Sequence, residues 1–217
     1  MYLSDLIEQG WATIQFEESS ELGLRRRMLS FAMHLGEPVR VRTGKDIFTV
    51  LVPTSAEFAR PHSLSRRFAR GEFELHNDTA HWIRPCRYIF VACVDAGEGS
   101  RATLLLDTRE LPLESEQIEL LETAPMRIQN GRNSYYSTIF NRERPFVRFD
   151  VGCMVGASTK SLSALCILKK ENWPSKVREF HWQPGIGLVI DNWRILHGRG
   201  AAKQDDPKRR LLRISFL

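Results

Sequence analysis

The residues best suited to chemistry are His76 and Asp78, in Leu75-His76-Asn77-Asp78, and His197, in Asp191-Asn192-Trp193-Arg194-Ile195-Leu196-His197-Gly198-Arg199. Residues i and i+2 of a strand face the same way, so His76 and Asp78 present an imidazole and a carboxylate to one point. A second imidazole at that point completes a donor set for a divalent cation. Two histidines and one carboxylate on one face of a metal leave three coordination positions open. A His-x-Asp pair alone also fits a surface strand with a polar face, so the weight rests on whether His197 joins it.

The other conspicuous side chains call for plainer readings. His81 has opposite strand parity to His76 and is expected near the site or at the surface, not as a ligand. His34 on a helix, His181 before a turn and Trp193 read as structural. The triplets Arg25-Arg26-Arg27 and Lys208-Arg209-Arg210 are short enough to be solvated faces. Arg148, in Phe146-Val147-Arg148-Phe149-Asp150, could line a pocket or pair with Asp150. Arg199 could neutralise an anion beside His197 or brace its loop.

These residues need strands to hold them, and the sequence supplies many. Asp46–Pro53, Glu74–Asp78, Ala102–Asp107, Phe146–Phe149, Gly187–Asp191 and Leu211–Leu217 are short and rich in apolar or β-branched residues. Arg87–Asp95 is nearly continuous in apolar residues, as in a strand buried on both faces. One helix is well marked near the start. It spans about Ser20 to Leu35, with a serine cap, apolar residues at helical spacing, and Gly36 and Pro38 beyond. Glu114–Thr123 and Ser161–Lys170 read as two more. The sum is a mainly β chain with flanking helices, of jelly-roll type. Thr54–Glu72 and Arg127–Arg144 are polar and are the expected lids.

The chain has 217 residues, 42% hydrophobic and 26% charged, which suits one globular domain over 1–217 and excludes disorder and coiled coil. No apolar run approaches the roughly 20 residues that cross a bilayer. The N-terminus lacks the basic and apolar regions of a secretory signal. The four cysteines form no Cys-x-x-Cys pair. A cytoplasmic protein without disulfides is expected. The net charge of +5 favours anionic ligands. The basic residues are scattered without interleaved aromatics, which speaks against nucleic acid.

Taken together, Leu75-His76-Asn77-Asp78, Pro85 and the apolar strand after it, Ala102-Thr103-Leu104 with Asp107, the downstream DNWRILHGRG and the closing Arg209-Arg210-Leu211-Leu212-Arg213 resemble the Fe(II)/2-oxoglutarate dioxygenases of the taurine dioxygenase and clavaminate synthase superfamily. The resemblance runs from Leu35 to the C-terminus. It implies a double-stranded β-helix, with His76, Asp78 and His197 as the iron ligands. It implies that Thr103 and Arg209 hold the distal carboxylate of 2-oxoglutarate, and that Arg213 contacts substrate or cosubstrate. Arg199 and Arg148 are further substrate-binding candidates. Strand parity puts Arg209 and Arg213 on one face and Arg210 on the other, and a one-residue bulge would reverse that. Where the family often has two glycines before the threonine, this chain has Ser100 and Arg101.

The activity that the resemblance implies uses Fe(II), 2-oxoglutarate and O2 to oxidise an unactivated C–H, releasing succinate and CO2. The small-molecule substrate expected is a carboxylate-bearing one, an amino acid or a relative. Asp78 fills the position that halogenating relatives leave open for chloride, so oxygenation is expected. The competing readings are a non-catalytic jelly-roll binding module and a dioxygenase acting on a carrier-bound or nucleic-acid substrate.

Overall fold

The computed structural model describes residues 2–32, 34–41, 46–58, 71–141, 145–202 and 207–217. Its centre is a pair of antiparallel sheets packed face to face. The larger has the order β1 (Trp11–Gln15), β11 (Ile186–Asp191), β5 (Tyr88–Asp95), β13 (Arg210–Phe216) and β2 (Pro38–Val39), with β3 (Thr49–Leu51) also on β13. The smaller runs β10 (Arg178–Phe180), β6 (Thr103–Asp107), β12 (Ile195–Arg199) and β4 (Phe73–His76). This is the jelly-roll expected from the sequence.

Alternation along the strands sorts residues into three apolar layers. Ile89, Val91, Cys93, Leu188, Ile190 and Leu211 of the large sheet meet Leu105 and Ile195 of the small one between the sheets. The other side of the large sheet, with Phe90, Ala92, Val189, Leu212 and Ile214, is covered by Leu24 and Met28 of helix α2 (Glu21–Ala32). The outer side of the small sheet, with Leu75, Leu104, Leu106 and Leu196, belongs to a third cluster. That cluster includes Leu121 of helix α3 (Ser115–Thr123) and Ala164 of helix α4 (Thr159–Ile167).

Phe90 is fully buried and packs against Phe16 and Phe31, while a Cβ at Gly187 would come within 2.7 Å of its ring. Phe90→Ala is therefore expected to lower stability by about 3–5 kcal/mol, read from urea unfolding, because few side chains can collapse into the gap. A loss below about 1 kcal/mol would show that this layer repacks freely.

Several expectations change. The expected helix over Ser20–Leu35 ends at Ala32 and does begin on a serine, since Ser20 Oγ accepts the Gly23 N–H at 3.2 Å. The described part of the expected lid Arg127–Arg144, residues 127–141, is not a loose loop. It contributes a hairpin of β7 (Met126–Asn130) and β8 (Asn133–Ser137), turned at Gly131 with φ +60, and β9 (Met154–Gly156) completes that sheet. Met126 and Ile128 are its buried anchors. Of the other expected lid, residues 59–70 lie outside the described residues. Phe146–Phe149 forms only an isolated bridge, Val147 to Phe140, because successive N–H groups go to Trp193, Ile139 and Asn77 rather than to one ladder. Helix α1 (Tyr2–Gln9) and β1 lie outside the expected elements, and β1 pairs in register with β11.

Candidate metal centre

His76 closes β4, and His197 sits directly opposite it on β12. Their rings are 4.6 Å apart between centroids. Asp78 follows in the turn, with Oδ1 3.8 Å from His76 Nε2. Donor atoms of the three lie within 4.8 Å of one another, and among the described residues this is the group of that kind. Thus the ladder between two strands distant in sequence supplies both imidazoles. Gly198 allows the close approach, since a Cβ there would meet the Phe73 carbonyl at 2.8 Å.

The donor chemistry fits a divalent metal. His76 Nδ1 lies 2.9 Å from the Glu74 carbonyl, so donation there leaves Nε2 with its lone pair toward Asp78. Burial pushes the His197 pKa down to about 3, with the neighbouring His76 adding to the effect. The neutral imidazole is the form that binds a metal. Asp78 supplies a hard anionic oxygen. Two nitrogens and a carboxylate suit Fe(II).

The turn that carries Asp78 is fixed by residues that the sequence reading left out. Buried Asn192 accepts the Asp78 N–H at 2.8 Å and donates to the carbonyls of Asp78 and Cys86, at 3.0 and 2.7 Å. Asn77 donates to the Asn192 carbonyl and accepts the Phe149 N–H. Thr79 takes a positive φ of 57°, which is costly for a β-branched residue. Its hydroxyl donates to the Asp78 carbonyl and accepts the Cys86 N–H, 2.7 and 2.8 Å. The sequence signal for Asn192 is its place in Asp191-Asn192, at the start of DNWRILHGRG. Asn192→Ala is expected to lower stability by roughly 2–4 kcal/mol and to weaken metal binding, because the Asp78 N–H and the Cys86 carbonyl lose their side-chain partner and the Asp78 carbonyl keeps the Thr79 hydroxyl. Thermal unfolding with an anaerobic Fe(II) titration checks both, and unchanged metal affinity would detach Asn192 from the centre.

The C-terminal arginines fall as parity required. Arg210 points outward to Glu21 of α2. Arg213 points inward, Nη1 2.5 Å from Asp78 Oδ2. A bulge does occur here, but Arg210 pairs with Asp95 and Leu211 with Cys93, so the extra residue is on β5 and β13 keeps its alternation. Arg209 is 7% exposed and acts electrostatically on Arg199 and Cys93. Thr103 pairs with Arg199 across β6 and β12, and its Oγ1 accepts the Trp182 indole N–H at 2.9 Å. Its own hydroxyl hydrogen can therefore point elsewhere. Ser100 adopts φ 48°, so the turn before Thr103 takes a left-handed residue without glycine.

Two expected substrate contacts, Arg148 and Arg199, meet backbone carbonyls in the structure. Arg148 is 1% exposed and its guanidinium donates to the carbonyls of Ala80, Trp82 and Ile83, bracing the chain after Asp78. Among the described residues its Nη groups meet these carbonyls rather than Asp150. Arg199 donates through Nε and Nη2 to the Gly71 carbonyl and lies 3.6 Å from the Phe73 ring centroid. Burial, then Arg101 and Arg209, lower its pKa to about 9. Of its two sequence readings, these contacts carry the bracing one. His81 is partly buried, and that burial lowers its pKa.

The family model "Taurine catabolism dioxygenase TauD, TfdA family" matches residues 115–215. A search of curated proteins gives no match. Among solved structures, an asparagine oxygenase in complex with Fe(II), 2S,3S-3-hydroxyasparagine and succinate superposes with TM-score 0.74 at 16% identity, over 100% of this chain and 77% of that one. The non-heme iron oxygenase OrfP, in complex with Fe, succinate and (3S)-hydroxy-L-Arg, gives 0.74 at 18% identity, over 100% and 76%. PvcB from Pseudomonas aeruginosa gives 0.70 at 22% identity, over 99% and 78%. The chain thus shares the jelly-roll fold of these iron oxygenases, and its residues 115–215 are similar to the taurine dioxygenase family.

Proposed function

We propose that this protein is an Fe(II)- and 2-oxoglutarate-dependent oxygenase that hydroxylates a small carboxylate-bearing molecule, an amino acid or a close derivative. The observation that carries the reading is the convergence of His76, Asp78 and His197 on one point between paired strands. The substrate class draws support from two fold neighbours whose structures hold hydroxyasparagine and hydroxyarginine.

Bound Fe(II) with 2-oxoglutarate and O2 supplies an oxidant able to attack an unactivated C–H, with succinate and CO2 as by-products. The chain's residues do the rest. His76, Asp78 and His197 hold the metal on one side. Arg209 meets the far carboxylate of 2-oxoglutarate through a planar fork, and Thr103 adds a hydroxyl donor. Burial of this end of the site strengthens both contacts and excludes competing water. The network of Asn77, Asn192 and Arg148 keeps the Asp78 turn from moving while substrate enters.

The test is an anaerobic titration with Fe(II) and 2-oxoglutarate, following the metal-to-ligand charge-transfer band. Free amino acids, their amides and esters, and carrier-tethered forms are then screened for perturbing it and for triggering succinate. Expected is a band in the wild type and a response to free amino acids. A missing band defeats the oxygenase reading, and a response confined to tethered forms defeats the substrate class.

A further inference from the structure

We propose that Arg213 is a positioning residue for the metal ligand Asp78, holding Oδ2 so that Oδ1 alone is offered to the ion. This rests on reading His76, Asp78 and His197 as metal ligands. The two oxygens of Asp78 face different partners. Oδ1 lies on the His76 side, 3.8 Å from Nε2, while Oδ2 meets Arg213 Nη1 at 2.5 Å.

The side chains of this pair are only 13% and 11% exposed, so water competes weakly for either charge. Arg213 is well placed to be rigid. Its backbone is paired on both sides, to Val91 of β5 and to Thr49 of β3, so the guanidinium is projected from the interior of a sheet. The pair also ties the large sheet to the turn leaving the small one. Arg213 Nε is buried and meets no acceptor among the described residues. The orientation of the guanidinium therefore follows Asp78 rather than the best use of its own donors.

The chemical consequence concerns coordination number. A carboxylate with both oxygens free can chelate a metal. Two imidazoles and a chelating carboxylate fill four of six positions. Only two then remain, where a chelating 2-oxoacid and dioxygen together need three. A charge-assisted hydrogen bond on Oδ2 removes that oxygen from competition and keeps the third position open. It also places a positive charge beside a centre where a carboxylate and a dianionic cosubstrate outweigh the metal's charge. Arg213 acts on the metal through Asp78 and touches no reacting atom in this role.

The experiment uses the full chain, loaded anaerobically with Co(II), whose visible bands report coordination. Wild type, Arg213→Leu and Arg213→Gln are titrated with Co(II) and then with 2-oxoglutarate, with folding checked by thermal unfolding. Expected is a 10- to 100-fold weaker Co(II) affinity and altered bands in Arg213→Leu, as for loss of a partner behind a metal ligand. Arg213→Gln, which keeps an N–H donor without the charge, is expected to recover much of the wild-type spectrum. If Arg213→Leu does not fold, Arg213→Gln decides, since wild-type-like bands support the role and altered bands oppose it. Wild-type affinity and bands in Arg213→Leu, with only the response to 2-oxoglutarate or amino acid weakened, overturn the proposal and make Arg213 an anion anchor. A wild type that takes up no Co(II), or one unaffected by His197→Ala, defeats the metal reading itself and this role with it.

Discussion

Asp78→Ala is expected to abolish substrate-triggered succinate formation. It removes the only anionic donor of the three converging residues and leaves two imidazoles 4.6 Å apart between ring centroids to hold the ion. Losing a partner behind a metal ligand costs about 10- to 100-fold in affinity, and loss of the ligand itself is expected to cost more. The variant also strands the buried guanidinium of Arg213, so some loss of stability accompanies it. Asp78→Asn separates the two effects. It keeps the side-chain shape and an oxygen for Arg213, so it is expected to fold well and still bind Fe(II) poorly. Anaerobic Fe(II) titration beside thermal unfolding makes the comparison. Fe(II) uptake by Asp78→Asn at wild-type affinity would remove Asp78 from the ligand set.

The second large effect is expected at Arg209. It is 7% exposed, and a buried charge pair that loses one partner typically costs 2–5 kcal/mol, roughly 30- to 5000-fold. Arg209→Ala should therefore raise the 2-oxoglutarate concentration needed for half-maximal turnover by two orders of magnitude or so, with Fe(II) binding little changed. Arg210→Ala is the control. Arg210 faces Glu21 on the outer side of β13 with its side chain 42% exposed, and such pairs contribute about 0–1 kcal/mol. Steady-state kinetics over 2-oxoglutarate concentration decides between them. An equal or larger effect at Arg210 would mean that the anion enters from the other face of the strand.

Much of this protein was legible in its sequence, for local reasons. Strand parity depends only on the alternation of side chains. Arg209 and Arg213 could therefore be assigned to the inner face opposite Arg210, whereas Asp78 meets His76 from the turn after β4, where Asn192 rather than alternation places it. The helix starting at Ser20 announces itself by its cap and apolar spacing, and Arg87–Asp95 by its continuous apolar run.

What remained hidden was non-local. The sequence places His197 far from His76, and only the β4–β12 register brings their rings together. The feared bulge beside Arg210 is real, yet which strand carries the extra residue depends on pairing with β5. Arg148 and Arg199 share the charge that made them substrate candidates. Their partners are backbone carbonyls at Ala80, Trp82, Ile83 and Gly71, and no residue type advertises a carbonyl. Asn192 acts through the same anonymous groups. The sequence by itself thus determined the donor types, the parity of the closing arginines and the β-rich frame. The tertiary structure decided which donors meet, because convergence requires the register of distant strands, and which charges are already engaged, because backbone acceptors acquire positions only when the chain folds.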